Sequence, residues 1–275
     1  MYYSRLYEFN QLIMILSYSA VAAYLLAALL LMRFFTKNDT QHRHQKSIFL
    51  LINFAIIAHA LTFTSFWSVN GGVYFGLANS ASFAAWVVAI LLFLSSISKP
   101  VHALGILVYP LVAFSLVFSV LFPDTTTKTI SLSIASHVFL SITAYALLAL
   151  AVCQSILLKI QERHLHAKNI NSFTNKLPPL QTMEALLFQS LRIGFYLLTL
   201  SLLTGFVFID DIFAQHLIHK TVLSLIAWII FAVLVLGRKI FGWRGKQAIT
   251  TTQIGFGILL VAYYGSKFVL ERLLN

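Results

Sequence analysis

Nine histidines occur in this 275-residue chain, and two of them stand inside long apolar runs where few histidines are found. His59 is followed by Thr62, Phe63 and Phe66, and His137 by Ser141, Ala144 and Tyr145. At 3.6 residues per turn each set lies along one side of a helix, so His59 has an aromatic wall and His137 a small, polar stripe. Polar groups in apolar surroundings are costly and turn inward, which leaves each imidazole two roles. It fixes packing by hydrogen bonding to a Ser, Thr or carbonyl of a neighbouring helix, or it offers a neutral ring nitrogen to a metal.

A second cluster follows later in the chain, where Asp210, Asp211, His216 and His219 precede Lys220. Lys220, Ser224 and Trp228 share one helix face at spacings of four. The lysine either snorkels to a polar boundary with its stem on the helix or meets a carboxylate. His216 and His219 read as solvated polar groups of a connecting loop or, His219 above all, as an outer ligand. The remaining histidines carry less. His42 and His44 lie among Arg43 and Lys46, His102 follows Lys99-Pro100, and His164 and His166 belong to a polar stretch. An HxH pair without a third ligand of matching spacing is a weak metal signal.

Several chemistries are excluded. There is no phosphate-cradling glycine loop, no HExxH and no nucleophile elbow, so no enzyme mechanism of its own is supported. Cys153 is the single cysteine, which rules out an intramolecular disulfide, a CxxC thiol pair and a CxxCH attachment site.

The elements that position these residues follow from composition. Apolar residues make up 59% of the chain and charged residues 10%, against about 25% charged in soluble domains. With a mean hydropathy of +0.86 this is an all-α polytopic membrane protein. Eight apolar runs are near the ~20 residues needed to cross a bilayer, at 11–35, 48–68, 73–97, 101–122, 130–158, 191–209, 220–237 and 248–270. The first is too long for a signal peptide and lacks a cleavage site. His59 falls ~16 Å from one end of the second span, and His137 ~10 Å from the opposite edge in the fifth. The 275 residues read as a single membrane domain.

The net charge of +11 is scattered in short turns and not gathered on a basic domain, so nucleic acid is not an expected partner. It sets orientation instead. Arg33, Lys37, Arg43, Lys46, Lys99, Lys159, Arg163, Lys168, Lys176, Arg192, Arg238, Lys239, Arg244 and Lys246 fall on one side of the spans, and only Arg5, Lys128, Lys220, Lys267 and Arg272 on the other. The richer side is cytoplasmic, which places both termini and the 210–219 loop outside. Pro178-Pro179 interrupts the long inward segment 159–189, and the residues after it are spaced as an interfacial amphipathic helix ahead of the sixth span. Phe241-Gly242-Trp243-Arg244-Gly245-Lys246 requires a tight glycine turn with a tryptophan anchor.

PPLQTMEALLFQSLRIGFYLLTLSLLTG from Pro178, the 210–219 loop, the following apolar helix and that Gly-Trp-Arg-Gly turn, in this order, resemble the signature-bearing half of the cytochrome c assembly family. These are haem-handling membrane proteins that include CcsA, CcmC and HemX, and the sequence looks most like their YpjD-like branch of bacterial inner-membrane proteins. The resemblance covers most of the chain, strongest over 178–275. It implies that His59 is the histidine of a His-Ala motif in the second span, and that His137 opens a His-x-x-x-Ser-x-x-x-Tyr stretch in the fifth. The pair is then expected to be axial to a non-covalent haem b between those spans, with Lys220 at the propionates and His219 an additional outer ligand. Haem-presenting members carry a tryptophan-rich outer loop, whereas residues 204–220 contain no tryptophan, so haem binding or handling is expected without the full presenting loop. Expected partners are haem, the lipid bilayer and other membrane proteins of cytochrome assembly. The alternative is a cofactor-free structural or regulatory subunit that keeps the fold. A transporter is disfavoured, because Pro110 is the only proline inside a span.

Overall fold

A chain in hydrocarbon must satisfy its own backbone N–H and C=O groups, and a single helix does so within itself. The computed structural model describes residues 2–36, 43–66, 73–74, 76–124, 127–128, 131–167, 172–208 and 215–265. Among them, eight helices are long and apolar enough to cross a membrane, one for each expected run. The chain is an all-α polytopic membrane protein. It divides into two compact units, Met1–Ile130 and Ser131–Asn275.

The first unit contains α1 (Tyr2–Thr36), α2 (Arg43–Thr62) with a 3-10 turn Phe63–Phe66, α3 (Leu77–Ser98), and α4 (Gly105–Leu121) entered through a 3-10 turn His102–Leu104. α1 packs on α2 and α4, and α3 joins α4 and α2. Helix ends follow local chemistry. Pro100 forces Lys99 into extended backbone (φ −132°, ψ 148°), which stops α3. At the other end of α3, Asp124 accepts the Asn79 N–H at 3.1 Å, a carboxylate placed where the helix leaves N–H groups unpaired. Beside it a two-residue antiparallel pair, β1 (Val73–Tyr74) with β2 (Thr127–Lys128), ties the two connections together. The spacing of residues did not announce that pair. The Asn70-Gly71-Gly72 turn lies outside the described residues.

The second unit contains α5 (Leu132–His166), the short α6 (Ser172–Lys176), α7 (Leu180–Phe208), α8 (Gln215–Phe241) and α9 (Gly245–Leu260), which ends in a π-helical turn, Val261–Gly265. Ser131 caps α5 by accepting the Ile134 N–H at 3.3 Å. α5 packs most extensively on α7, and α9 lies against both α5 and α8. The seam on α7 is Leu187, Leu191, Gly194, Leu198, Ser201 and Gly205, all buried at helical spacing. Small residues in that row let the backbones approach, which is how helices associate when lipid removes the hydrophobic difference between inside and outside. Away from the seams, apolar side chains face outward: Leu50 is 68% exposed, Phe114 69% and Phe206 72%. Only acyl chains suit such surfaces at this density.

Three boundaries differ from expectation. The stretch after Pro178-Pro179 is not a separate interfacial helix: α7 runs unbroken from Leu180 to Phe208. Pro179 accepts the Met183 N–H at 3.1 Å and starts the helix, and nothing within it breaks the ladder. α5 likewise continues to His166, beyond the expected end at 158, so His164 and His166 stand on a helix. His216 and His219, expected in a loop, lie in the first turns of α8.

Candidate functional site

In the second unit the residues around His137 form a connected polar set. His137 is half-buried near the start of α5, and its ring is seated on Gly205 of α7, where a Cβ would stand 2.9 Å from the His137 Cε1. Only glycine leaves that space. His137 Nδ1 is 3.1 Å from Thr204 Oγ1. Thr204 has one hydroxyl hydrogen, and it is donated to the Ser201 carbonyl at 3.0 Å. Nδ1–H is therefore the donor in the bond to Thr204, and the lone pair resides on Nε2. Ser141 donates to the His137 carbonyl at 2.8 Å and meets Ser201 Oγ at 2.6 Å, so Ser201 donates to Ser141. The stripe His137, Ser141, Tyr145 thus reads onto Ser201, Thr204 and Gly205 of α7.

α8 and α9 complete the cluster. Lys220 is close enough to act electrostatically on His137, and its Nζ lies 4.5 Å above the ring of Tyr263. Tyr263 meets Tyr145 edge-on at 6.0 Å, and the Tyr145 hydroxyl hydrogen-bonds Ser224. Trp228, on the same face of α8, donates its indole N–H to Thr199 Oγ1 at 2.8 Å and joins α8 to α7. His137 and Lys220, singled out from sequence, are brought together here. The backbone of His219 precedes Lys220 in α8; the side chains of His216 and His219, with Asp210 and Asp211, lie outside the described residues.

His59 belongs to the first unit and has 0% exposure. Its Nε2 is 2.9 Å from Ser82 Oγ on α3, while its Nδ1 has no hydrogen-bond partner among the described residues. Phe63 lies 5.2 Å away and itself meets Phe66, Phe83 and Trp86. The expected aromatic wall is therefore extended by α3. Tyr24 also approaches His59 edge-on at 5.9 Å; its hydroxyl is buried and without a hydrogen-bond partner among the described residues, and its ring stacks on Tyr109 at 5.8 Å. Among the remaining histidines, His164 Nδ1 is 3.0 Å from the Ile160 carbonyl of its own helix, and His102 is exposed. His42 and the side chain of His44 lie outside the described residues.

Sequence reasoning missed Ser82, Tyr24, Thr204, Gly205 and Tyr263. Thr204-Gly205 had a signal, since with Gly194 and Ser201 they continue a row of small residues along one face of an apolar helix. Ser82 and Tyr24 had none, because their role is defined by a partner on another helix.

At the far end of the second unit the Gly-Trp-Arg-Gly turn is a structural joint. Gly242 and Gly245 have φ of +66° and +51°. The Gly245 N–H donates to Glu184 Oε1 at 2.8 Å, and Arg238 donates to the Trp243 carbonyl at 3.0 Å. The Arg238 guanidinium lies 4.7 Å over the Phe188 ring. This matches the expected tight turn.

A polytopic helical protein with a histidine seated in a polar seam defines the class. The sequence profile described as Cytochrome C assembly protein matches residues 74–274, well over half of the chain, and the chain belongs to that family. The match takes in His137, His219, Lys220 and Tyr263 and begins after His59. The chain is similar to the inner membrane protein YpjD of Escherichia coli, 36% identical over 133 residues, which are 48% of this chain and 50% of that protein. It is 31% identical over 141 residues to a 28.8 kDa protein of Azospirillum brasilense, covering 50% of this chain and 52% of the relative. To the cytochrome c biogenesis protein CcsA of Porphyra purpurea it is 26% identical over 271 residues, 81% of this chain and 83% of the relative. The chain thus spans about half the length of the first of these relatives.

Proposed function

We propose that this protein is a haem-binding or haem-handling factor of the inner membrane, acting in cytochrome c assembly, and that His137 is its principal iron ligand. One observation carries the reading. Thr204 takes the Nδ1 hydrogen and leaves the His137 Nε2 lone pair available. An imidazole anchored through Nδ1 by a partner on another helix is the usual arrangement of a metal-ligating histidine. The space over Gly205 and the polar neighbours suit the ligand end of the ring, and Lys220 suits a propionate. His59, in the first unit, stands by itself as a further candidate ligand for a b-type haem. His219 is an additional candidate through its place beside Lys220. When bound, haem supplies a redox-active iron; the side chains hold it, exclude water and receive its carboxylates. Other membrane proteins of cytochrome assembly are the partners this role requires.

The test is the visible spectrum of the full chain purified under haem-replete expression. A Soret band that His137→Ala abolishes is expected, and His59→Ala tests the further candidate by the haem content of the purified protein. The Ser82 and Thr204 bonds favour a second reading, in which both histidines only pin helices and the protein is a cofactor-free structural or regulatory subunit. No Soret band supports that second reading, whereas a band indifferent to both substitutions removes His59 and His137 as the ligands.

A further inference from the structure

Among the described residues of the second unit the acids are Glu162 and Glu184, and both carboxylates turn toward Gly245 at the start of α9. Glu184 Oε1 accepts the Gly245 N–H at 2.8 Å, and Glu162 Oε1 lies 3.1 Å from where a Cβ on Gly245 would stand. Of the bases at this end, Arg238 is drawn inward as well: it donates to the Trp243 carbonyl, lies over the Phe188 ring and stands 4.0 Å from Glu184. Lys239, Arg244 and Lys246 are exposed, and none of them forms an ion pair with a described residue. The acids are thus used within the fold, and three positive charges are left facing outward where α8 ends.

The turn that presents them is held in place. Positive φ at Gly242 and Gly245 folds the chain back on α8. The Trp243 N–H donates to the Gly237 carbonyl at 3.3 Å, and its ring lies against Gly237, where a Cβ would stand 2.5 Å from the indole. Phe241, 73% exposed, stacks on Trp243 at 6.3 Å. An exposed aromatic pair flanked by cations at the last turn of an apolar helix has the chemistry of the headgroup level of a bilayer. From there Ile240, Leu236, Val233 and Ile229, all exposed, recur at spacings of four, three and four as one apolar stripe along α8. At 1.5 Å per residue the stripe spans ~16 Å, which is the depth of one leaflet in a ~30 Å hydrocarbon core.

We propose that this end of α8 binds one anionic phospholipid, with its phosphate among Lys239, Arg244 and Lys246 and an acyl chain along Ile240, Leu236 and Val233. A lipid is the occupant because the cations continue into an apolar stripe of leaflet depth, which a soluble anion leaves uncovered. The preference for an anionic headgroup follows from charge: a zwitterionic headgroup carries its own ammonium and gains less from three bases. The proposal is independent of the haem reading.

In the experiment the full chain, purified in a non-ionic detergent, is incubated with equimolar phosphatidylglycerol and phosphatidylcholine, and the lipid it retains is counted by native mass spectrometry. Unmodified protein is expected to retain phosphatidylglycerol in preference. Lys239→Gln, Arg244→Gln and Lys246→Gln together are expected to bring the ratio of the two lipids to near one. Arg33→Gln, Lys46→Gln and Arg192→Gln together remove as many exposed bases elsewhere on the same predicted side of the spans and are expected to keep the preference. Equal losses in the two triple variants reduce the effect to diffuse charge and overturn the proposal, as does an unmodified protein without preference. Release of phosphatidylglycerol by inorganic phosphate, but not by sodium chloride of the same ionic strength, assigns the three bases to a soluble anion and overturns the lipid assignment. Where the first triple variant does not fold, Arg244→Gln and Lys246→Gln are measured singly. Each is expected to lower the ratio about fivefold, the scale of one Lys or Arg at an anionic surface, and an unchanged ratio in both overturns the proposal.

Discussion

At the scale of single residues, His59 and His137 look alike in sequence and differ in what their ring nitrogens do. His137 engages Thr204 through Nδ1, whereas His59 engages Ser82 through Nε2 and its Nδ1 has no hydrogen-bond partner among the described residues. Thr204→Val removes the acceptor that fixes the tautomer. Loss of such a partner costs about 10–100-fold in affinity at metal sites, and that is the expected fall in haem affinity on titration. Thr204→Ser keeps the acceptor and is expected to lose little. Gly205→Ala acts on the same ring by volume, because its Cβ would stand 2.9 Å from Cε1 and push the imidazole off its seat. Haem retention is expected to fall in this variant with helicity by circular dichroism unchanged. His216→Ala with His219→Ala is expected to leave the haem content of purified protein near the unmodified level; complete loss would make the start of α8 the primary site.

At the scale of elements, α7, α8 and α9 are locked at the Trp243 end by a short set of bonds. Glu184, read from sequence as part of an interfacial helix, instead accepts the first N–H of α9 and stands 4.0 Å from Arg238. That partly exposed ion pair contributes little, whereas a lost acceptor at a helix start costs about 1–3 kcal/mol. Glu184→Ala is therefore expected to lower the melting temperature in detergent more than Arg238→Gln does. Gly245→Ala forces a side chain into left-handed backbone at φ +51°, a penalty of about 1–2 kcal/mol. Gly257→Ala in α9, where none of the described residues meets the new Cβ, is expected to be neutral or stabilising. Equal melting temperatures for the two alanine variants would contradict the argument.

At the scale of the whole molecule, the apolar exterior places the helices in lipid, and the distribution of Lys and Arg predicts their orientation. Reporter fusions after Asn70, Pro123 and Asn275 are expected to read periplasmic, and fusions after Lys46, Lys168 and Lys246 cytoplasmic. A cytoplasmic reading after Asn275 would invert the orientation and move the Lys220 end of the second unit to the inside.

Existence and number of the membrane helices were legible in the amino-acid sequence, because insertion depends on the summed hydropathy of ~20 contiguous residues and on little else. The Gly242 and Gly245 turn was legible for a similar reason: positive φ is a local demand that glycine meets. The family was legible in the ordered motifs after Pro178. Helix ends were less so, since α5 and α7 both run beyond the apolar stretch wherever no proline stops the ladder and a packed neighbour such as Glu184 finds its bond. The hydrogen-bond partners of the histidines became visible only in the tertiary structure. Thr204 is 67 residues from His137 and Ser82 is 23 from His59, and each engages one ring nitrogen. Spacing along one helix shows which side chains share a face; only the packing of a second helix against that face fixes a tautomer, and only a π turn at the end of a third brings Tyr263 under Lys220.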